Sequence, residues 1–152
     1  MNNIIPAVQR LFTTILLCLL FFSTKAQIPK MPLQPDNWKE DQLISPESLA
    51  NLITRKGKLK IYNIGVVQNI KGAVNLGPAS EKGSLEKLKN IARSGDKSEF
   101  IVIYCGCCPM GKCPNIRPAF DVFKAQRYTN IHLLDLPVNI KVDWIDKGFP
   151  VE

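Results

Sequence analysis

The sequence predicts a small α/β domain in which helices flank a central, mainly parallel sheet. Segments with the apolar patterns of strands alternate along the chain with segments whose apolar residues recur at helical spacing. The apolar, β-branched run at residues 100–104 has the composition of a strand that is buried on both faces, which is typical of the centre of a parallel sheet. The length of 152 residues suits a single domain.

The first 37 residues differ from the rest and are expected to lie outside the domain. Arg10 precedes an apolar stretch at residues 11–22, and small residues follow it, so residues 1–26 are predicted to be a secretory signal peptide. We therefore expect an exported protein, periplasmic or secreted, with no stable membrane insertion after signal cleavage. Residues 27–37 carry three prolines and no periodicity, and they are predicted to be a proline-rich tether.

The first half of the domain is predicted to contain two helices and one strand. A helix begins after Ser45, which is a cap residue followed by a proline in the first turn, and it ends before Gly57. Residues 59–64 alternate apolar and polar side chains, as a strand does. A turn-rich segment follows, and a second helix is expected to open at Ser84 and to end at Gly95.

The second half is predicted to continue the alternation of strands and helices. The buried strand at residues 100–104 ends at Cys105, and a helix is expected to begin beyond the next loop with Asn115 as its cap. Residues 130–136 read as another strand, and residues 142–147 read as a short final helix.

Four of the five cysteines lie within nine residues, in the loop that follows the predicted central strand. Disulfide bonds within so short a loop would close only a few residues and would stabilise the fold little, so the cluster favours chemistry or metal binding over a structural role. In open parallel sheets, ligand sites form beyond the carboxyl ends of strands, and the amino terminus of a following helix lowers the pKa of a thiol. Cys105 is therefore the candidate catalytic nucleophile.

Two basic residues near the cysteines are candidates for binding an anion. Arg117 lies in the first turn of the predicted helix, where the helix dipole disfavours a cation, and Lys112 lies in the loop itself. Each can serve an anionic substrate or be an ordinary solvated side chain. The other basic residues are scattered, so the net charge of +7 predicts no nucleic-acid site. His132 lies inside a predicted strand, and a structural role is expected for it.

Several motifs of the chain resemble those of the rhodanese homology family. A strand at residues 101–105 ends in cysteine, and its loop leads into a helix with the sequence Arg117-Pro-Ala-Phe. Residues 128–135 end in Leu-Asp, and residues 143–152 contain a tryptophan followed by Gly-Phe-Pro-Val. Residues 70–75 resemble the family's Gly-Ala-Ile-Asn segment. Together these features resemble a rhodanese homology domain, with its α/β fold.

The resemblance covers residues 38–152 and includes departures from the family pattern. Asn63-Ile-Gly stands where the family usually has Asp-x-Arg. The loop that begins at Cys105 is longer than the family's sulfur-transfer loop. Pro109 and Pro114 lack N–H groups, so the backbone of this loop has fewer donors for an anion.

The resemblance implies that Cys105 takes a sulfane sulfur from a small anionic donor such as thiosulfate and passes it to a thiol acceptor through a persulfide. This is the reaction of a rhodanese-type sulfurtransferase, which needs no cofactor, and we expect a monomer. The other loop cysteines would then resolve the persulfide or form a disulfide. These auxiliary or redox residues are Cys107, Cys108 and Cys113.

Two other classes of function remain open for the same cysteines. The protein can be a thiol–disulfide redox protein, in which neighbouring thiols form and break a disulfide. It can also be a metal-binding module, because Cys105, Cys107, Cys108 and Cys113 supply four soft thiolates, enough for Zn²⁺ or Cu(I). Such ligands usually come in separated pairs, whereas these lie close together. A non-catalytic interaction domain is a further alternative.

Overall fold

Five parallel strands form the sheet at the centre of the computed structural model, which describes residues 38–152. The spatial order is β1-β5-β4-β2-β3, and each neighbouring pair is parallel. The prediction of an α/β fold with a mainly parallel sheet is thereby confirmed. The strands are β1 (Leu43–Ile44), β2 (Lys60–Asn63), β3 (Ala73–Asn75), β4 (Ile101–Tyr104) and β5 (Ile131–Leu134).

Helices pack on the sheet and connect its strands. The helices are α1 (Pro46–Thr54), α2 (Lys82–Ser94) and α3 (Ile116–Ala125), with 3₁₀ turns at Glu40–Gln42 and Met110–Lys112 and a π-helical turn at Lys141–Ile145.

The predicted signal peptide at residues 1–26 and the predicted tether at residues 27–37 lie outside the described residues. Between Trp38 and the last residue, no helix combines the length and the apolar character that a membrane crossing requires.

The central strand β4 is buried on both faces, as its composition predicts. Ile101 and Ile103 point into the core beneath α2 and α3, whereas Val102 and Tyr104 point into the core on the opposite face, with α1. Because side chains alternate along a strand, the next residue, Cys105, returns to the face of α2 and α3. The alternation therefore places the thiol beside the start of α3.

Two predicted helices differ from those in the structure. Helix α2 begins at Lys82 rather than at Ser84, and the Ser84 side chain is buried next to Gly77 instead of capping the helix. The final predicted helix at residues 142–147 is a π-helical turn that begins at Lys141. Its buried Asp143 carboxylate accepts hydrogen bonds from two backbone N–H groups of the preceding loop, which fixes that loop against the sheet.

Candidate functional site

Cys105 follows the last residue of β4 and is only 2% exposed. The next residue, Gly106, has a φ of +74°, a conformation that glycine adopts without strain. A Cβ atom at Gly106 would lie 2.8 Å from the Ile140 Cβ, and the Ile140 N–H donates a 2.9 Å hydrogen bond to the Gly106 carbonyl. The chain therefore turns sharply after Cys105 and packs closely against the loop that follows β5.

The turn brings the loop cysteines together. The Cys107 Sγ lies 3.3 Å from the Cys105 Sγ and 3.5 Å from the Cys108 Sγ. The sulfur atoms of Cys105, Cys107 and Cys113 all lie within 4.8 Å of one another, and all four cysteines are free thiols. Cys105 is buried, Cys107 is exposed, and Cys108 and Cys113 are half-buried. The structure thus places the four predicted cysteines in one cluster, in which the exposure of the side chains ranges from buried to exposed.

Asn115 contributes a contact that the sequence analysis missed. It stands at the predicted cap position of α3, but its side chain makes no capping hydrogen bond. The Asn115 Nδ2 instead donates to the Cys105 Sγ at 3.2 Å, and its Oδ1 accepts from the Ser80 N–H at 2.8 Å. The capping role assigned to this side chain was therefore wrong. An asparagine just after the cysteine loop was the available signal, because its amide can reach back to a thiol.

The contacts around Cys105 favour its ionised form. The thiol of Cys113, whose sulfur lies within 4.8 Å of that of Cys105, contributes most to a pKa of about 5 for Cys105. Burial opposes this shift, and donors from Asn115 and Cys107 support it. Burial and the hydrogen bond to Cys105 raise the pKa of Cys107 to about 12, and the bond to Cys105 also raises the pKa of Cys113. One thiolate therefore sits among thiols that keep their protons.

A cavity of about 10 Å³ adjoins Cys105, which is the room that about one water molecule needs. Its volume accepts a single added atom next to the sulfur more readily than a whole multi-atom anion. Most of its wall is apolar or sulfur-bearing, so a charge inside it depends on the few donors around Cys105. The lining residues are Cys105, Gly106, Cys108, Met110, Cys113, Ile116, Leu134 and Leu136.

Gly65 forms a second wall of the site. A Cβ atom at Gly65 would lie 2.6 Å from the Cys105 carbonyl oxygen and 2.8 Å from its Sγ, so a side chain here would displace Cys105. The buried Asn63 accepts from the Gly65 N–H through Oδ1 and donates through Nδ2 to the Val67 carbonyl and the Asn69 side chain. The Asn63-Ile-Gly segment therefore shapes the site, and the sequence analysis missed this role.

The two predicted anion-binding residues do not line this cavity. The Arg117 guanidinium lies over the Trp38 ring, 3.6 Å from its centroid, which is a cation–π contact. Lys112 is exposed in the 3₁₀ turn of the cysteine loop. Anion binding by either residue stays a prediction. His132 stacks on Phe100 with ring centroids 4.5 Å apart, as expected of a structural histidine.

Three of the cysteines can act together as ligands for a soft metal ion. The separations among the sulfurs of Cys105, Cys107 and Cys113 are short enough for a shared ion. Thiolates select Zn²⁺ and Cu(I), and metal binding would displace the protons that Cys107 and Cys113 keep. The loop therefore has the geometry of a three-sulfur site, with Cys108 next to it.

No protein-family model matches the sequence, and comparison with curated proteins gives no match either.

Proposed function

We propose that this protein is a sulfurtransferase of the rhodanese type, which carries sulfane sulfur as a persulfide on Cys105. The main support for the proposal is the buried Cys105 thiol, which is surrounded by hydrogen-bond donors that hold its pKa at about 5. Such a cysteine is a thiolate at neutral pH, and the thiolate is the nucleophilic form. The rhodanese-like motifs of the sequence support the same assignment.

The loading step uses the thiolate as nucleophile on a small anionic donor such as thiosulfate. The Cys105 sulfur attacks the sulfane sulfur, a new S–S bond forms, and the bond between the two donor sulfurs breaks. Sulfite leaves with that electron pair, so the total charge is unchanged. The single sulfur atom left on Cys105 suits the small cavity beside it. Arg117 and Lys112 are the proposed sites of attraction for the anionic donor.

The unloading step transfers the outer sulfur to a thiol acceptor. The acceptor thiol gives its proton to the persulfide anion and attacks the outer sulfur as a thiolate; the S–S bond breaks, and its electron pair returns to the Cys105 sulfur. The acceptor leaves as a persulfide, and the protein regains its thiolate. Cys107, whose sulfur lies 3.3 Å from that of Cys105, is the proposed internal resolving cysteine: its sulfur bonds to the Cys105 sulfur, the bond to the outer sulfur breaks, and hydrogen sulfide leaves with the Cys107 proton. The signal peptide proposed at residues 1–26 would place this chemistry in an exported protein.

Mass spectrometry of the reduced protein after thiosulfate treatment tests the proposal. We expect one added sulfur atom per molecule, located on the peptide that contains Cys105, and its release as a persulfide of an added thiol. Cys105→Ser should take up no sulfur, and Asn75→Asp, at an exposed position outside the loop, should load as the wild type does. Sulfur uptake that persists in Cys105→Ser would refute the assignment.

A soft-metal site is the second candidate function, favoured by the three sulfur atoms that lie within 4.8 Å of one another. Titration of the reduced protein with Cu(I) or Zn²⁺ in competition with a chelator of known affinity tests it. A tight stoichiometric complex that Cys107→Ser or Cys113→Ser weakens strongly would favour the metal function. Weak binding that is equal in these variants would exclude the site.

Thiol–disulfide exchange is the remaining alternative for the same cluster, because the Cys105 and Cys107 sulfurs are already in contact. Mild oxidation followed by peptide mapping would detect a Cys105–Cys107 disulfide. Rapid, reversible formation of this bond without any capacity to take up sulfane sulfur would favour the redox function over sulfur transfer.

A further inference from the structure

The Asn115 amide is held in one orientation at the Cys105 sulfur. Asn115 is 6% exposed, and its Oδ1 accepts the Ser80 N–H at 2.8 Å. A rotated amide would set Nδ2 against that N–H and Oδ1 against the sulfur, and both contacts would be unfavourable. The Ser80 N–H therefore fixes Nδ2 as a donor aimed at the Cys105 Sγ, at 3.2 Å.

The composition of the loop explains why a side chain supplies this donor. Pro109 and Pro114 have no N–H groups, so two positions of the loop cannot donate to an anion. Asn115 follows Pro114 directly and begins α3, a rigid element whose other buried residues anchor it to the sheet. The position of this donor is therefore fixed by the helix and does not depend on the exposed part of the loop.

We propose that Asn115 is a catalytic residue that stabilises the Cys105 sulfur as the leaving group when the persulfide is discharged. The inference rests on the proposed sulfur transfer and adds an assignment within it. During loading, negative charge leaves Sγ as the new S–S bond forms. During discharge, the bond breaks and the electron pair returns to Sγ, where the Asn115 amide donates its hydrogen bond.

The two half-reactions should respond differently to loss of this donor. A thiol of lower pKa leaves faster, whereas a thiolate stabilised by hydrogen bonds is intrinsically a weaker nucleophile. Removing the Asn115 donor should therefore slow discharge of the persulfide. Loading, measured at a pH where Cys105 is fully ionised, should be unchanged or slightly faster. A merely structural defect would slow both half-reactions.

The test compares Asn115→Ala and Asn115→Asp with the wild type. Asn115→Ala removes the donor without adding a charge. Asn115→Asp keeps an oxygen that accepts from the Ser80 N–H, but its second oxygen places a negative charge beside Cys105 in place of the donor. Asn75→Asp is the matched control, because Asn75 also accepts a backbone N–H through Oδ1 but is exposed. Loading with thiosulfate and discharge to added glutathione are followed separately by rapid quenching and mass spectrometry.

We expect discharge to slow several-fold in both Asn115 variants and loading at high pH to be preserved in Asn115→Ala, whereas the added charge of Asn115→Asp also opposes the anionic donor. The pKa of Cys105, measured from the pH dependence of its alkylation by iodoacetamide, should rise by about one unit or more, the value of a hydrogen bond to a charged group. Asn75→Asp should match the wild type in all three measurements.

An unchanged pKa of Cys105 in Asn115→Ala would overturn the inference, as would equal slowing of the two half-reactions in that variant. Failure of the wild type to take up sulfur would instead refute the proposed sulfur transfer, and the discharge role would fall with it. The alkylation measurement needs no persulfide, so it would still show whether Asn115 stabilises the thiolate. The two failures are therefore distinguishable.

Discussion

The cysteine loop has an inner half, made of Cys105, Cys113 and Asn115, and an outer half, made of Cys107 and Cys108. In the inner half a buried thiol is surrounded by donors, and the pKa of Cys105 falls to about 5. In the outer half, desolvation of the sulfur and its hydrogen bond to Cys105 raise the pKa of Cys107 to about 12. The same residue type thus has opposite acidity only two positions apart in the chain.

The inner half of the loop therefore sets the chemistry, and the outer half sets access to it. Hydrogen bonds to the charged form outweigh the cost of burying a thiolate at Cys105. Desolvation and hydrogen bonds to the Cys105 sulfur make a second ionisation unfavourable, so Cys107 and Cys113 remain donors.

Gly65→Ala should disrupt the inner half most strongly. The new Cβ would lie 2.6 Å from a backbone oxygen and 2.8 Å from the Sγ of Cys105, so the thiol must shift away from its donors. We expect the free energy of unfolding to fall by about 1–3 kcal/mol, as is typical of overpacking, and the pKa of Cys105 to rise. Urea unfolding and pH-dependent alkylation measure the two effects.

Gly83→Ala is the matched control for this substitution. Gly83 lies in α2, and a Cβ there meets no heavy atom within 4 Å. Replacing an exposed helical glycine by alanine should stabilise the protein by about 0.5–1 kcal/mol. If Gly65→Ala and Gly83→Ala changed the stability in the same direction, the close packing assigned to Gly65 would be wrong.

Substitutions at Cys113 distinguish between two roles of this residue, as a hydrogen-bond donor to Cys105 or as a resolving cysteine. Its thiol contributes most to the low pKa of Cys105, and a serine hydroxyl can donate in its place. We expect Cys113→Ala to raise the pKa of Cys105 by about one to two units and Cys113→Ser to raise it less. Peptide-resolved alkylation across pH 4–9 measures both. Equal loss of sulfur discharge in the two variants, with no change in pKa, would instead identify Cys113 as a resolving thiol.

Much of the fold could be predicted from local patterns in the sequence. The run at residues 100–104 is apolar and β-branched throughout, and a strand with that composition has to be buried on both faces. Ser45 with its following proline marks a helix start by chemistry that acts within a few residues, and its side chain accepts from the Ser48 N–H as a cap does. Both predictions are confirmed because they need no knowledge of distant contacts.

The parts of the site that the sequence analysis missed depend on contacts between distant segments. Asn115 reads as a helix cap locally, but its oxygen is already used by Ser80, which lies far away in the chain. In the sequence, Gly65 is only a departure from the family's Asp-x-Arg motif. Its contact with Cys105 follows from the pairing of β2 with β4, which the sequence does not show. The clustering of the cysteines was predictable because they are close in sequence, and a lowered pKa of Cys105 was expected from the following helix. The donors that surround Cys105 and the raised pKa values of Cys107 and Cys113 were not predictable, because they depend on the folded loop.

The pH dependence of stability has a defined sign. Folding lowers the pKa of Cys105 from 9.0 to about 5, so its stabilising contribution is complete above pH 9 and disappears as the pH falls to 5. Folding raises the pKa of Cys107 and Cys113, so their contribution is lost as the pH rises above 9. The cluster should therefore stabilise the fold most near about pH 9.

Urea unfolding under reducing conditions, at several pH values between 5 and 10, measures this effect in the wild type and in Cys105→Ser. Groups elsewhere in the chain titrate in both proteins, so their contributions cancel in the difference between the two free energies of unfolding. We expect that difference to grow from pH 5 to pH 9. A difference that is independent of pH would show that Cys105 is not a thiolate in the folded protein.

Cys108→Ser should have the smallest effect of the cysteine substitutions. Cys108 lies beside the cavity, and its sulfur contacts that of Cys107 at 3.5 Å, in the outer half of the loop. We expect the free energy of unfolding to change by less than about 0.5 kcal/mol and the alkylation profile of Cys105 to match the wild type. If Cys108→Ser raised the pKa of Cys105 as much as Cys113→Ala does, Cys108 would support the Cys105 thiolate through Cys107 and would belong to the inner half of the loop.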